Sequence, residues 1–393
     1  MEKKFFGVSQ NVAILSLVSF LNDFAGETIK RTLPLFLVNI AGAGTSVVGV
    51  IEGTAESIAT LIQAPAGRLS DVVGKRKIFV LLGRILQVSR VFLIFPQTAA
   101  SIGFVRLADR AGKGLGTASR DALISDSTEV TRQGRAFGFL RAADSVGAVL
   151  GLLVAAIITW QFSPNLQLLT PQIFKIIVAI GAVPTIVNVL LIGAFVKEVK
   201  NHATNPPLLK FDLGKPFKIF LAISVIFTIG AFSEAFLILR AQSVEIPLYQ
   251  IFLILAVFSA VTSIVFLPAG ILSDRLGRKR FLVLGWLIAA ATFLGFAVAN
   301  SFWQILIFYL LFGVYFGITE GVARAFIVDL VPVNLKATAF GVYNTFIGAT
   351  LFPASVIAGL WWQTVSPAAP FFFSAAMAAI AAILLLLVNF EKS

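Results

Sequence analysis

Gly67-Arg68-Leu69-Ser70-Asp71-Val72-Val73-Gly74-Lys75-Arg76-Lys77 returns 203 positions further on as Gly270-Ile271-Leu272-Ser273-Asp274-Arg275-Leu276-Gly277-Arg278-Lys279-Arg280. Gly67, Leu69, Ser70, Asp71 and Gly74 reappear as Gly270, Leu272, Ser273, Asp274 and Gly277, and a basic triplet closes each copy. The same offset carries Asp126 to Asp329 and Ala136-Phe137-Gly138 to Ala339-Phe340-Gly341. One constant offset across three separated segments marks an internal duplication, with two parallel repeats in one chain.

The sequence around these copies is almost continuously apolar. Of 393 residues, 58% are hydrophobic and 13% charged, and the mean hydropathy is +0.94. A water-soluble chain of this length needs far more polar surface to cover its core, and a bilayer removes that need. Several runs reach the roughly 20 residues that a helical span requires. Gly, Pro and polar breaks divide them into spans near 11–40, 45–67, 77–97, 100–125, 135–160 and 171–197, then 216–241, 247–270, 281–299, 302–331, 337–362 and 367–390. The expected fold class is an all-α membrane protein of twelve transmembrane helices in two pseudo-symmetric six-helix bundles. The bundles would be residues 1–197 and 216–393, joined by a polar linker over 198–215 that contains Pro206 and Pro207. The Met1–Gln10 segment resembles a signal-peptide leader. The apolar run behind it is too long and too charged for a cleaved signal, so it reads as the first span.

The net charge of +12 lies in short clusters between apolar runs rather than on one polar face. It therefore sets topology instead of marking a nucleic-acid partner. Lys75-Arg76-Lys77, Arg132 and Arg135, the lysines in and beside the linker, and Arg278-Lys279-Arg280 fall on one set of connections, and the alternate connections carry no Lys or Arg. That alternation puts both termini and the linker in the cytoplasm of a multi-pass cell-membrane protein. Trp160, Trp303, Trp361 and Trp362 then fall near outer span ends, where an interfacial belt sits. With no cysteine and a single histidine, His202, disulfides and thiolate metal sites are excluded. Any proton must be carried on carboxylates. No metal site, cofactor or catalytic constellation is expected, and hence no enzyme.

The repeated segment resembles the signature loop of the major facilitator superfamily, which implies that superfamily's fold and an alternating-access carrier. Its second copy lies closer to the pattern, because Arg275 follows the aspartate where the first copy has Val72. Physically, the glycines let helix ends approach and the aspartate caps or pairs across to a neighbouring helix. The resemblance implies a conformational latch built from Gly67, Asp71, Gly74 and Arg76, and from Gly270, Asp274, Gly277 and Lys279. Arg110-Ala111-Gly112-Lys113-Gly114-Leu115-Gly116 resembles the superfamily's span-four motif, associated with proton coupling, with Lys113 in place of the usual polar amide. A nucleotide-binding loop is excluded, since glycine rather than Ser or Thr follows Lys113. Gly138, Gly147 and Gly151 match the glycine spacing of the superfamily's antiporter motif, but Leu152 stands where its proline belongs and Ala155-Ala156 where its glycine pair belongs. Gly147 and Gly151 equally form a small-xxx-small packing face, whatever the direction of transport. The longer run from Asp109 through Arg120-Asp121-Ala122-Leu123 to Arg141 and Asp144 is similar to a group of poorly characterised bacterial permeases.

An isolated charge at the bilayer centre costs roughly 2.5–3.5 kcal/mol on insertion scales, so each needs a partner or a wet cavity. Helical spacing offers Glu27 with Arg31, Asp109 with Lys113, Arg141 with Asp144, and Glu320 with Arg324, and Arg31 and Arg324 can instead snorkel. Asp23/Glu27 and Glu52/Glu56 do not neutralise themselves. Adjacent carboxylates in low dielectric do not both ionise cheaply, the property a proton-coupled carrier needs. Glu52 is expected to be hydrated near the outer surface, with Glu56 a turn deeper. The candidate proton-coupling residues are Asp23, Glu27, Glu56, Asp109 and Asp144, and the candidate substrate contacts are Arg110, Lys113, Arg141, Glu234, Glu320 and Arg324. Tyr309, Tyr315 and Phe316 either line a cavity or simply pack, and packing is the plainer reading. The expectation is a monomeric, proton-coupled secondary carrier that exports small amphipathic organic molecules. Uptake of an anionic metabolite or chelate is the alternative, and a substrate sensor without transport is the alternative from another class.

Overall fold

The structure, a computed structural model, describes residues 9–95, 98–129, 132–199, 213–332 and 335–390. Most of the expected linker, with His202, and the first eight residues lie outside the described residues. The described chain is helical throughout. In the first half run α1 (Gln10–Asn39), α2 (Thr45–Val73), α3 (Arg76–Gln87), a 3-10 segment (Val88–Ile94), α4 (Ala99–Asp126), α5 (Gln133–Phe162) and α6 (Pro171–Phe195). In the second half follow α7 (Gly214–Ile229), α8 (Ala235–Ser243), α9 (Leu248–Leu276), α10 (Arg278–Val298), α11 (Phe302–Leu330), α12 (Lys336–Thr364) and α13 (Ala369–Leu387). Local chemistry starts several of them. Ser9 caps α1, Thr98 and Ser101 form a capping box on α4, and Thr170 caps α6 with Pro171 in its first turn.

Among the described residues, nine helices are long and apolar enough to cross a membrane. The other three expected spans take different forms. Span three is α3 continued by the 3-10 segment. Span four is α4, long but penetrated by Arg106, Asp109, Arg110, Lys113, Arg120 and Asp121. Span seven, expected as one helix over 216–241, breaks into α7 and α8. At that break Gly230 turns the chain and its carbonyl accepts from Ser374 Oγ, while the Ser233 N–H donates to Ser355 Oγ at 3.1 Å. Neighbouring hydroxyls thus satisfy backbone groups that the broken helix leaves open.

The duplication is visible bond by bond. Ser70 Oγ donates to the Gly67 carbonyl at 2.8 Å and Ser273 Oγ to the Gly270 carbonyl at 2.7 Å. Consequently α2 and α9 continue past their expected ends at 67 and 270. They stop at Gly74 (φ +67°) and Gly277 (φ +95°), backbone conformations that glycine adopts at least cost. A Cβ on Gly114 of α4 would lie 2.5 Å from the Ala59 carbonyl of α2, and one on Gly317 of α11 would lie 3.0 Å from the Thr262 carbonyl of α9. These are the same contact, repeated at the same offset.

The chain forms two compact units, Met1–Gly42 with Ile58–Leu208 and Ala43–Ser57 with Leu209–Ser393. In the first, α1 packs on α5 and α6, and α3 packs on α4. Gly147 and Gly151 face the Phe20 and Phe24 carbonyls of α1, where a Cβ would come to 2.3 Å. Val12, Leu15, Val80, Leu123, Leu140 and Ile192 meet in an apolar core. The second unit has an aromatic core, with Phe227 stacked on Trp286 at 4.9 Å and Phe296 edge-on to Tyr309 at 5.1 Å. Tyr309 and Tyr315 are buried within it, the packing role. The start of α2 belongs to this unit: Ser46 Oγ donates to Gln363 Oε1 at 2.8 Å and Ser57 Oγ to the Gly348 carbonyl at 2.6 Å. Outward faces are apolar, with Phe104, Leu190, Ile264 and Leu387 largely exposed, as lipid contact requires. Trp160 and Trp303 are exposed near helix ends, whereas Trp362 packs against Phe236 and Phe371.

Candidate functional site

The middles of α1 and α4, together with the 3-10 segment, line a small, partly open polar cleft in the first unit. Asp109 sits at its centre. Arg90, from the 3-10 segment, donates to Asp109 Oδ1 at 2.6 Å through Nε and approaches it again at 2.6 Å through Nη2. Arg106, one turn earlier on α4, reaches Asp109 Oδ2 at 3.4 Å. Arg106 is 2% exposed, Arg90 5% and Asp109 6%, so this is a buried ionic cluster in which each charge depends on the others. Gly26 makes room for it: a Cβ there would lie 3.3 Å from Arg90 Nη2.

The expected pairing of Asp109 with Lys113 on its own helix gives way to these arginines. A planar guanidinium on a neighbouring element meets a carboxylate better than a flexible ammonium one turn away. Lys113 instead lines the cleft near Glu27. Arg110 lines it too. The pairing of Glu27 with Arg31 forms as expected, at 2.8 Å.

That pairing leaves the expected Asp23/Glu27 couple unequal. Asp23 accepts from Asn22 Nδ2 at 3.1 Å and lies within electrostatic reach of Asp144 on α5. Asp144 accepts from Ser19, whose hydroxyl also accepts from Arg120 Nη1 at 2.8 Å. Arg120 and Arg141 are its electrostatic neighbours, yet its Oδ1 is buried without a hydrogen-bond partner. Asp23 and Asp144, on different helices, are thus the carboxylates within electrostatic reach of each other. Arg141, the expected partner of Asp144 one turn away, is itself exposed.

The remaining candidates lie in the second unit. Glu56 is half-buried. Glu52, expected to be hydrated, is 1% exposed, because the start of α2 packs on α12 through Gly49 and Gly53 against Ser355. Glu234 stands at the break before α8. Glu320 and Arg324 approach only to 3.7 Å and are well exposed.

The repeated loops are built around arginines. Arg76 bridges Asp71 of α2 at 3.1 Å and Asp126 of α4 at 2.9 Å. In the second unit the equivalent bridge uses Arg278, to Asp274 at 2.8 Å and Asp329 at 2.7 Å. Lys279, expected in that role from its alignment with Arg76, instead donates to the Leu386 and Val388 carbonyls. Of the four loop glycines, Gly67 lies close to Ala118 and Gly270 has open space, so close helix approach applies to the first copy alone.

Arg90, Lys30 and Ser19 did not stand out in sequence. Arg90 carried a usable signal, a cation inside an apolar span that must find an anion. Only the folded chain identifies that anion as Asp109.

This arrangement, a duplicated helical fold with a buried ionic cleft at the middle of its helices, is that of a membrane transporter. The family model of the Major Facilitator Superfamily matches residues 15–253 and 219–392, and the chain belongs to that superfamily. An uncharacterised MFS-type transporter of Methanocaldococcus jannaschii is 36% identical, over 97% of this chain and 95% of its own length. The class E tetracycline resistance protein of Escherichia coli is 31% identical over 139 residues, 35% of this chain and 34% of that protein. Among solved structures, a POT family transporter aligns with a TM-score of 0.82 at 12% identity, over 98% of this chain and 97% of that one. The nucleoside transporter NupG aligns with a TM-score of 0.76 at 15% identity, over 95% and 98%. These two share the fold.

Proposed function

We propose that this protein is a proton-coupled secondary carrier of the cell membrane that exports small amphipathic organic molecules by alternating access. Residues 1–197 and 216–393 serve as the rocking halves, the 198–215 linker and both termini are cytoplasmic, and a monomer is the working unit. One observation carries the reading: Asp23 and Asp144 lie within electrostatic reach of each other inside the first unit, and Asp144 Oδ1 is buried without a hydrogen-bond partner. Like charges so placed repel each other, and a proton taken up there changes the charge that Arg120 and Arg141 balance. The stretch shared with a tetracycline resistance protein supports export. Arg76 and Arg278, each tying two helices together, serve as conformational latches.

The test uses purified protein in liposomes with a pH-sensitive dye inside and an imposed proton gradient. Tetracycline, a lipophilic cation and a sugar acid are added in turn. Proton movement on addition of one of these, reduced at least tenfold in Asp144→Asn and in Asp23→Asn, is the expected result. Full proton movement in both variants would remove the pair from the mechanism, and none in the unaltered protein would reject coupling for this panel.

A further inference from the structure

The third helix begins badly by its own sequence. Lys75, Arg76 and Lys77 stand at the start of α3, where the helix dipole is positive and cations are disfavoured. Lys75, in the capping position, makes no side-chain cap, so the first backbone N–H groups need an acceptor from elsewhere. Glu198 supplies it from 121 and 122 positions away. Its carboxylate accepts from the Arg76 N–H at 3.0 Å and from the Lys77 N–H at 3.0 Å and 3.3 Å. A carboxylate there meets both the open donors and the dipole. The capping is mutual. Lys77 Nζ donates to the Gly193 carbonyl at 2.9 Å, in the last turn of α6, where carbonyls lack helical partners.

Glu198 is itself held. Val196 is 2% exposed in the apolar core, and Val199 packs against that core. Between them, the Lys197 N–H donates to Asn11 Oδ1 at 2.9 Å and the Lys197 carbonyl accepts from Asn11 Nδ2 at 2.9 Å. Asn11 Nδ2 also donates to Ser127 Oγ at 3.0 Å, one residue past Asp126. Asp126 is where the Arg76 side chain arrives from α3. Arg76 is therefore fixed at both ends, its N–H on Glu198 and its guanidinium on Asp71 and Asp126. Partly exposed ion pairs contribute little unless their geometry is held, and here a fixed backbone holds it.

We propose that Glu198 is a positioning residue of the first latch. Where the chain leaves α6 for the linker, its carboxylate sets the start of α3 and, through it, the reach of Arg76 to α2 and α4. The linker's departure point and the latch then move as one piece. This rests on the reading of Arg76 as the latch of a carrier, and it adds what keeps that latch in register.

Amide hydrogen exchange on the purified full-length protein in detergent tests it, read by mass spectrometry over residues 76–80 and 121–128. Glu198→Ala should speed exchange about fivefold or more at both stretches, the scale of a lost helix cap. Glu198→Gln, which keeps one acceptor oxygen and loses the charge, should show a smaller change. Glu198 is exposed, so neither variant disturbs a buried core. The effect at the end of α4 separates positioning from a local cap. In an Arg76→Ala background, Glu198→Ala should still loosen 76–80 and no longer alter 121–128, because Arg76 is the connection. Unchanged exchange at 121–128 in Glu198→Ala would overturn the proposal, as would an equal change there with and without Arg76. In the liposome assay with tetracycline, Glu198→Ala should lower the maximal rate of proton movement about threefold or more and leave the half-saturating concentration unchanged. An unchanged maximal rate would likewise overturn it. No proton movement in the unaltered protein would reject the carrier reading alone, since the exchange comparison decides the positioning role without transport.

Discussion

Asp109 accepts from two arginines, and its removal is the most disruptive single change available in the cleft. Asp109→Ala takes from Arg90 and Arg106 the carboxylate they share, and breaking a buried ion pair from one side costs about 3–5 kcal/mol. The expected result is a large loss of folded protein and of melting temperature in detergent. Adding Arg90→Gln to Asp109→Ala should recover part of it, because one orphaned charge then disappears. An additive double variant would show that the pair is not energetically coupled. Residue-scale roles were the least legible part of the sequence. Helical spacing correctly joined Glu27 to Arg31, since both lie on one face of one helix. It failed for Asp109, whose partner Arg90 lies 19 positions away on another element. It also named Asp23/Glu27, with Glu52/Glu56, as carboxylates that do not neutralise themselves, and it did not single out Asp144 on α5 as lying within electrostatic reach of Asp23. Spacing along one helix carries no information on what a neighbouring helix presents.

Helix-scale features were legible wherever a terminator was explicit in the sequence. Nearly every span begins and ends within a few residues of its expected bounds, and the exceptions are instructive. The helices α2 and α9 absorb most of the repeated loop, because Ser70 and Ser273 bond back to their own turns. Span seven breaks because hydroxyls on α12 and α13 accept and donate in place of helical partners, a tertiary effect invisible in Gly230 alone. The span-five glycines separate two readings that sequence left open. Gly147 and Gly151 are in contact with the α1 backbone, whereas Gly138 has nothing within 4 Å. Packing therefore accounts for the first two without appeal to transport direction. Gly147→Ala and Gly151→Ala each place a methyl 2.3 Å from a backbone carbonyl, forcing α5 away from α1 at a cost of about 1–3 kcal/mol. Gly138→Ala should be neutral, or stabilising by up to about 1 kcal/mol through helix propensity. Melting temperatures of the three variants in one detergent check the ranking. A loss at Gly138 equal to that at Gly151 would assign the motif a role other than α1–α5 packing.

At the scale of the whole molecule the duplication was read from sequence almost completely, since a constant offset survives any local misplacement of a span. Its two halves have nevertheless diverged in kind. The first unit gathers its charges into one cleft around Asp109, while the second fills its middle with stacked and edge-on rings such as Phe227–Trp286 and Phe258–Phe312. A transporter with two such unlike halves needs a fixed orientation in the membrane. The basic clusters supply it: Lys75 to Lys77, Arg132 and Arg135, and Arg278 to Arg280 all fall on one set of connections, which the positive-inside rule assigns to the cytoplasm. A chain without cysteine allows this assignment to be tested one residue at a time. Glu129→Cys and Arg132→Cys, both at solvent-exposed side chains, should react with a membrane-impermeant maleimide only after cells are opened. Asn300→Cys and Val365→Cys, exposed between α10 and α11 and at the end of α12, should react in intact cells. The opposite pattern would invert the protein. Labelling of both sets from one side would break the twelve-span path itself, since α4 and α10 could not then end on opposite faces.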